Sequence, residues 1–279
     1  VGKSTLLNAL VGHKLSIVSD RPQTTRRAIR GVITRERSQV VLVDLPGTQR
    51  PRDPLTARLA KRVQQELEGA DGVLLLLNGL QGVGPGDRHL AAALVGSRAP
   101  VTVAVNKVDR LSRPRLLQVL SAASELVPEA EIFPISALRG TGVAELMDHL
   151  AGSMPEGPFL FEPGVDSDQP LEQMLAELIR EAAIRRTFQE LPHAVEVVVE
   201  DIDRPREGLV RVRALIWVES ESQKAIVIGA RGGMIRAIGT AARRELEREL
   251  GSQVHLDLSV RVRRRWRNDE ALLDRLGMS

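Results

Sequence analysis

The chain has 279 residues, 43% hydrophobic and 27% charged, enough for two domains of ordinary size, each with a core of its own. That composition excludes a disordered tail, a collagen-like fibre and a membrane bundle, and the absence of cysteine excludes disulfide frameworks and Cys-ligated zinc or iron–sulfur sites. The formal charge is only +3, with 39 basic against 36 acidic side chains, so the whole molecule carries no electrostatic signature of a nucleic-acid binder.

The sequence opens on Val1-Gly-Lys-Ser-Thr5 without the pattern of a secretory leader, and its aliphatic runs, such as Val73–Leu77, are far shorter than the ~20 residues that cross a bilayer. A cytoplasmic protein is expected. Leu6, Leu7, Leu10 and Val11 follow as an apolar helix pattern. Ala28–Thr34 and Gln39–Asp44, separated by Arg35–Ser38, predict a hairpin and therefore one antiparallel edge strand. Gln39–Asp44, Gly72–Asn78, Val101–Asn106 and Glu131–Ser136 are apolar runs with helical patterns between them, which predicts a mostly parallel sheet buried on both faces. Leu55, Leu59, Val63 and Leu67 recur every four residues and predict one stripe of a helix. These elements make an α/β domain at 1–152. Residues 153–170, rich in Pro, Gly and acids, have no periodicity and are taken as a linker.

Beyond it the pattern predicts a helix (Leu171–Phe188), two strands (Ala194–Glu200, Leu209–Glu219), two helices (Ser222–Ile228, Met234–Leu250), a strand (Val254–Val262) and a last helix (Asp269–Leu276). This is an α+β domain at 171–279. Within it, 222–267 holds 11 basic against 4 acidic side chains, so positive charge is concentrated there. The five histidines show no ligand spacing, and neither a metalloenzyme nor a nucleophile triad is supported.

Four segments carry chemistry in the first half. Gly2-Lys3-Ser4-Thr5 before an apolar helix is the back end of a phosphate-binding loop: amides at a helix N-terminus cradle oxygens, Lys3 reaches the β- and γ-phosphates, and the Ser4 hydroxyl ligates Mg2+. The first glycine of that loop and the strand before it would lie ahead of Val1, so the sequence is expected to be a piece of a longer chain and, as it stands, to fold poorly or bind nucleotide weakly. Asp44-Leu45-Pro46-Gly47 sits at the carboxyl end of a strand, where Asp44 can hold Mg2+ through water and the Gly47 amide can approach a γ-phosphate. Asn106-Lys107-Val108-Asp109 ends the next strand, and a carboxylate at Asp109 can accept from both N1–H and the exocyclic amine of guanine, a pair adenine lacks. Ser136-Ala137-Leu138 can give a backbone N–H to guanine O6. Thr25, directly before an arginine in the polar stretch 21–26, is the candidate to complete the Mg2+ shell in the triphosphate state. In the second half, Ile228-Gly229-Ala230-Arg231-Gly232 lies between two helices, where its glycines let a single-stranded backbone approach main-chain amides. Ile235, Arg236, Arg263 and Arg265 extend that surface. Trp266 is expected to pack rather than to stack on bases.

Together these residues resemble a translation-factor-like P-loop GTPase, and both halves together resemble the Era family of bacterial ribosome-assembly GTPases over essentially the whole chain. Gln23-Thr-Thr-Arg26, Gly84-Pro-Gly-Asp87, Leu191-Pro-His-Ala194 and Val227-Ile-Gly-Ala-Arg-Gly-Gly-Met-Ile235 carry the resemblance beside the motifs above. It implies a P-loop GTPase domain followed by a type II KH domain that binds 16S rRNA near its 3′ end, and a role in 16S rRNA processing and small (30S) ribosomal subunit biogenesis. It further implies GTP or GDP bound with Mg2+, a monomer, and a peripheral inner-membrane fraction. The family usually has a large aliphatic residue after Asp-x-Pro-Gly, where other GTPases have a catalytic Gln; here Thr48 and then Gln49 follow. Slow intrinsic turnover is therefore expected, with no catalytic side chain assigned and Lys3, Thr25 and Gly47 as the candidates that position the γ-phosphate or water. The competing reading is a nucleotide-independent KH RNA-binding protein with a vestigial or incomplete GTPase half.

Overall fold

A computed structural model describes residues 1–18, 25–47, 53–94, 99–187 and 191–278. The chain forms two compact units, and neither is a continuous stretch. Val1–Ser16, Ala28–Asp44 and Val63–Asp168 make the first; Ile17–Arg27, Leu45–Arg62 and Gln169–Ser279 make the second.

The first unit has two sheets among the described residues. β1 (Ile29–Thr34) and β2 (Gln39–Asp44) form the expected antiparallel hairpin, pairing Ile29 with Asp44 through to Thr34 with Gln39. β3 (Val73–Asn78), β4 (Val101–Asn106) and β5 (Glu131–Pro134) are parallel, in that order, with Asn78 paired to Asn106 at their carboxyl tips. Helices cover both faces, which is why these strands are apolar throughout. On one face α1 (Lys3–Val11) and α5 (Val143–Gly152) pack Leu6, Val143, Leu146 and Leu150 against Leu76, Ala104 and Ile135. On the other, Ala91 of α3 (Pro85–Leu94) and Val119 and Ala123 of α4 (Arg113–Leu126) meet Leu75, Leu77, Val103 and Val105. α2 (Pro54–Glu68) carries the four-residue stripe; it belongs to the second unit as far as Arg62 and to the first from Val63.

The stretch expected as a linker lies along the hairpin instead of spanning open solvent. The Gln39 amide accepts from Leu160 N (2.8 Å) and Phe161 N (2.9 Å) and donates to Phe161 O (2.9 Å), while Val32 N donates to Asp166 O at 2.8 Å.

The second unit runs α6 (Leu171–Arg186), α7 (Leu191–Ala194), β6 (Glu196–Arg206), β7 (Leu209–Val218), α8 (Glu221–Ile228), α9 (Gly233–Leu250), β8 (Gln253–Val262) and α10 (Glu270–Arg275). β6 and β7 are antiparallel and β7 and β8 parallel, so the sheet is mixed. Helices α6, α8 and α9 bury Leu175, Ile179, Val227, Ile238 and Leu246 against Val197, Val212, Ile216 and Val260. The order helix, strand, strand, helix, helix, strand is that of the type II KH fold the resemblance implies. A second small core gathers Leu55, Trp266, Leu272, Leu273 and Leu276. Trp266 is fully buried and donates its Nε1–H to Ala194 O at 3.1 Å, a packing role as expected.

The sequence predicts two continuous domains, 1–152 and 171–279, joined by 153–170, and in the structure 17–27 and 45–62 group with the second unit. The reason is chemical: Arg26 and Arg27 find buried carboxylates there, and Leu55 finds the Trp266 core.

Candidate functional site

In the first unit the expected phosphate and base segments come together. Gly2, in the left-handed region at φ +108°, opens α1, and a Cβ there would lie 2.5 Å from Asn106 Nδ2. Ser4 Oγ donates to Asp44 Oδ2 at 2.6 Å. Lys3 is exposed and Thr5 half-buried on the same first turn. A second hydroxyl on the Asp44 carboxylate escaped the sequence reading: Ser16 Oγ, fully buried, donates to Oδ2 at 2.9 Å. Nothing in Leu15-Ser-Ile17 signals it, because its partner is 28 residues away.

Asn106 is the hub of the segments expected to recognise the base. Its Nδ2 donates to Val1 O (3.1 Å), and its Oδ1 accepts from Lys107 N (2.8 Å) and Ala137 N (3.0 Å). Its own carbonyl accepts from Gly79 N at 2.9 Å. One buried residue, through its side-chain amide and its carbonyl, thus ties the start of α1, the tips of β3 and β4, and the loop after β5. The Ala137 N–H of the expected base loop is paired with Asn106 Oδ1 in this structure. Ser136 is fully buried, with its N–H donated to Thr141 O at 2.9 Å, whereas Leu138 and Asp109 are exposed. β5 stops at Pro134, two residues short of the expected end, because Ser136 turns to pair with Thr141.

Thr25 is buried, and Thr25, Leu45, Pro46 and Gly47 are grouped with the second unit while Ser4 and Asp44 are in the first. Gln23, Thr24, Thr48 and Gln49 and the His193 side chain lie outside the described residues.

In the second unit, α8 ends at Ile228 and the Gly-x-x-Gly loop makes one short turn before α9. Gly229 has φ +70°, and a Cβ there would lie 2.6 Å from Met234 Cβ and 2.9 Å from its backbone nitrogen, so only glycine closes this turn. Ala230 and Arg231 are exposed. Ile228 and Ile235 pack against the core from either side of the loop and hold its ends. Arg236, Arg263 and Arg265 are exposed on the same unit. The non-glycine residues with positive φ among those described are Lys107, Arg231 and Arg265, all of them residues the sequence marks for binding. Backbone strain of this kind, of order 1–3 kcal/mol each, persists where function requires it.

Residues 1–107 match the family model described as 50S ribosome-binding GTPase, and residues 190–267 match that of the KH domain. A GTPase Era of Mycobacterium sp. (strain KMS) is 45% identical over 281 residues, covering 99% of this chain and 94% of its own. The GTPase Era of Mycobacterium bovis (strain BCG / Pasteur 1173P2) is 44% identical over 283 residues, with the same coverage. The chain belongs to the Era GTPase family. Like other Era proteins it is a GTPase, a P-loop domain followed by a KH domain. An Era crystal structure in complex with MgGDPNP and nucleotides 1506–1542 of 16S ribosomal RNA superposes with a TM-score of 0.95 at 34% identity, covering 100% of this chain and 95% of that one. A variant of Aquifex aeolicus Era bound to GDP and aluminium fluoride superposes at 0.93, with the same identity and coverage.

Proposed function

We propose that this GTPase is a switch that binds 16S rRNA near its 3′ end and acts in the processing of that RNA and in biogenesis of the small (30S) ribosomal subunit. The observation that carries the reading is the Asn106 hub, which joins phosphate-loop and base-recognition segments in a chain that also exposes a Gly-x-x-Gly loop. A relative of matching fold, solved with a GTP analogue and a 16S fragment, supports it.

In this reading Lys3 and the amides opening α1 hold the β- and γ-phosphates. Ser4 and Asp44 fit Mg2+, since two hard oxygens already meet at 2.6 Å at a helix N-terminus. The metal, when bound, supplies positive charge against the phosphates. Asp109 accepts the two guanine N–H groups. Thr25 and the Gly47 amide hold the γ-phosphate and lose their partner when it leaves. In hydrolysis a water oxygen bonds to the γ-phosphorus as its bond to the β,γ-bridging oxygen breaks, giving GDP and phosphate. The loop Gly229–Gly232 grips the RNA backbone, with Arg236, Arg263 and Arg265 beside it. The expectations of a cytoplasmic monomer with a peripheral membrane-bound fraction go with this reading.

Nucleotide titration tests it. GTP is expected to bind at least ~10⁴-fold more tightly than ATP, because the bound base covers Asp109, exposed in the structure, and a carboxylate left unpaired beneath it rejects the wrong base strongly. Asp109→Asn is expected to shift preference to xanthosine triphosphate, whose 2-oxo group can accept from the new amide. Equal affinity for the purine triphosphates, or unchanged GTP affinity in the variant, overturns the guanine assignment.

A further inference from the structure

Among the described residues, six charged side chains are almost wholly buried in the second unit: Arg26, Arg27, Glu177, Arg180, Glu181 and Glu196. Arg26 and Arg27 directly follow Thr25, in the segment Ile17–Arg27 that the chain inserts between Ser16 and Ala28 of the first unit. The four carboxylate and arginine partners on α6 and β6 are far away in sequence.

The guanidinium groups of these two arginines donate into the second unit. Arg26 Nη1 donates to Glu196 Oε2 (2.6 Å) and Val195 O (2.8 Å), and its guanidinium carbon lies 5.3 Å from the Trp266 ring centroid. Arg27 divides its fork three ways: Nη1 to Glu177 Oε1 (2.7 Å), Nη2 to Glu196 Oε1 (3.3 Å) and Nε to Leu276 O (2.9 Å). Arg180 completes the set through Nε to Glu177 Oε1 at 3.1 Å. At the other end of the segment, Val18 N donates to Glu181 Oε1 and Val18 O accepts from Arg185 Nη2, both at 3.1 Å. Both described ends of the insertion are therefore fastened to α6 or β6.

A buried ion network holds only while it is complete. Withdrawing Arg26 and Arg27 leaves Glu177 and Glu196 short of their cations in a buried site, which is far more costly than breaking an exposed pair. The segment therefore does not peel off the second unit as a loose loop does. When Thr25 is displaced, the least costly response is for α6 and β6 to shift with it.

We infer that Arg26 and Arg27 are positioning residues that fasten the nucleotide-sensing Thr25 to the RNA-binding unit, so that nucleotide state and RNA affinity are coupled through this network. The inference rests on the proposed function in one respect, that Thr25 responds to the γ-phosphate. Coupling of this kind is reciprocal: whatever factor GTP applies to RNA affinity, RNA applies to GTP affinity.

The test measures the affinity of the full chain for a 16S 3′-end RNA oligonucleotide loaded with GDPNP and with GDP, and takes the ratio. In the parent protein the ratio is expected to differ from one by about fivefold or more. In Glu177→Gln and Glu196→Gln it is expected to fall to within about twofold of one, while guanine-nucleotide binding and RNA binding each persist. A parent ratio of one overturns the switch reading itself. A parent ratio well away from one that survives in the folded variants overturns this inference alone. Should either variant fail to fold, hydrogen exchange on the parent protein decides. Exchanging GDP for GDPNP should change protection at Thr25–Arg27 together with the start of β6 and the middle of α6. A change confined to Thr25–Arg27 overturns the inference.

Discussion

Gly142 has no room for a side chain. Its φ is +69°, and a Cβ would lie 2.4 Å from the carbonyl oxygen of Pro134, a backbone atom that cannot swing away. Gly142 directly follows the turn in which Ser136 pairs with Thr141, beside the Ala137 amide that Asn106 holds. Gly12 makes an informative control: its φ is +93°, but nothing lies within 4 Å of the added atom. Gly12→Ala is expected to cost about 1–2 kcal/mol of stability through backbone strain alone, with GTP affinity unchanged. Gly142→Ala is expected to cost about 3 kcal/mol, strain and collision together, and to weaken GTP binding several-fold as the base loop shifts. Thermal unfolding and GTP titration of both variants check this, and equal behaviour of the two rules out a supporting role for Gly142.

At the scale of elements, the Gly-x-x-Gly turn permits a clean separation of activities. Its conformation is set by Gly229 and Gly232, while Ala230 and Arg231 between them are exposed. Replacing both with Asp is expected to lower RNA affinity about tenfold or more, by repelling phosphates from the amides, while GTP turnover without RNA persists. Retained RNA affinity in a filter-binding assay shows that RNA sits elsewhere. The buried strands and this turn were legible in the sequence because each obeys a local rule: apolar runs for strands covered on both faces, glycine where φ turns positive. The outer half of the β6 strand was not. Glu200, Asp201, Asp203, Arg204 and Arg206 are exposed, so no alternation marks them as a strand, although the ladder with β7 extends to Arg206 and Leu209. The one-turn helix α7 escaped for a similar reason, since four residues carry too little periodicity to detect.

For the whole molecule, the least legible feature is the placing of 17–27. Arg26 and Arg27 look in sequence like solvated loop charges, and their carboxylates lie 150 to 170 residues away, beyond any local pattern. The burial they undergo leaves a signature in acid. Burial pushes the Glu196 carboxyl up, but Arg27, Arg26 and Arg180 more than reverse this and hold it below the ordinary carboxylate value. In the unfolded chain the group titrates near its ordinary value of about 4.3. As pH falls the unfolded state therefore takes up this proton first, so the stability Glu196 contributes is whole above that value and is lost as pH falls through the lower folded value. Glu196→Gln is expected to cost about 3–5 kcal/mol at pH 7, where it leaves buried arginines short of a partner. The difference from the parent protein should shrink steadily below about pH 4, where proton uptake by Glu196 in the unfolded state favours unfolding of the parent. Both tryptophans, Trp217 and Trp266, belong to the second unit, so urea unfolding followed by tryptophan fluorescence reports on that unit directly. A gap that stays constant or widens on acidification shows that Glu196 is not the charged partner on which Arg26 and Arg27 depend.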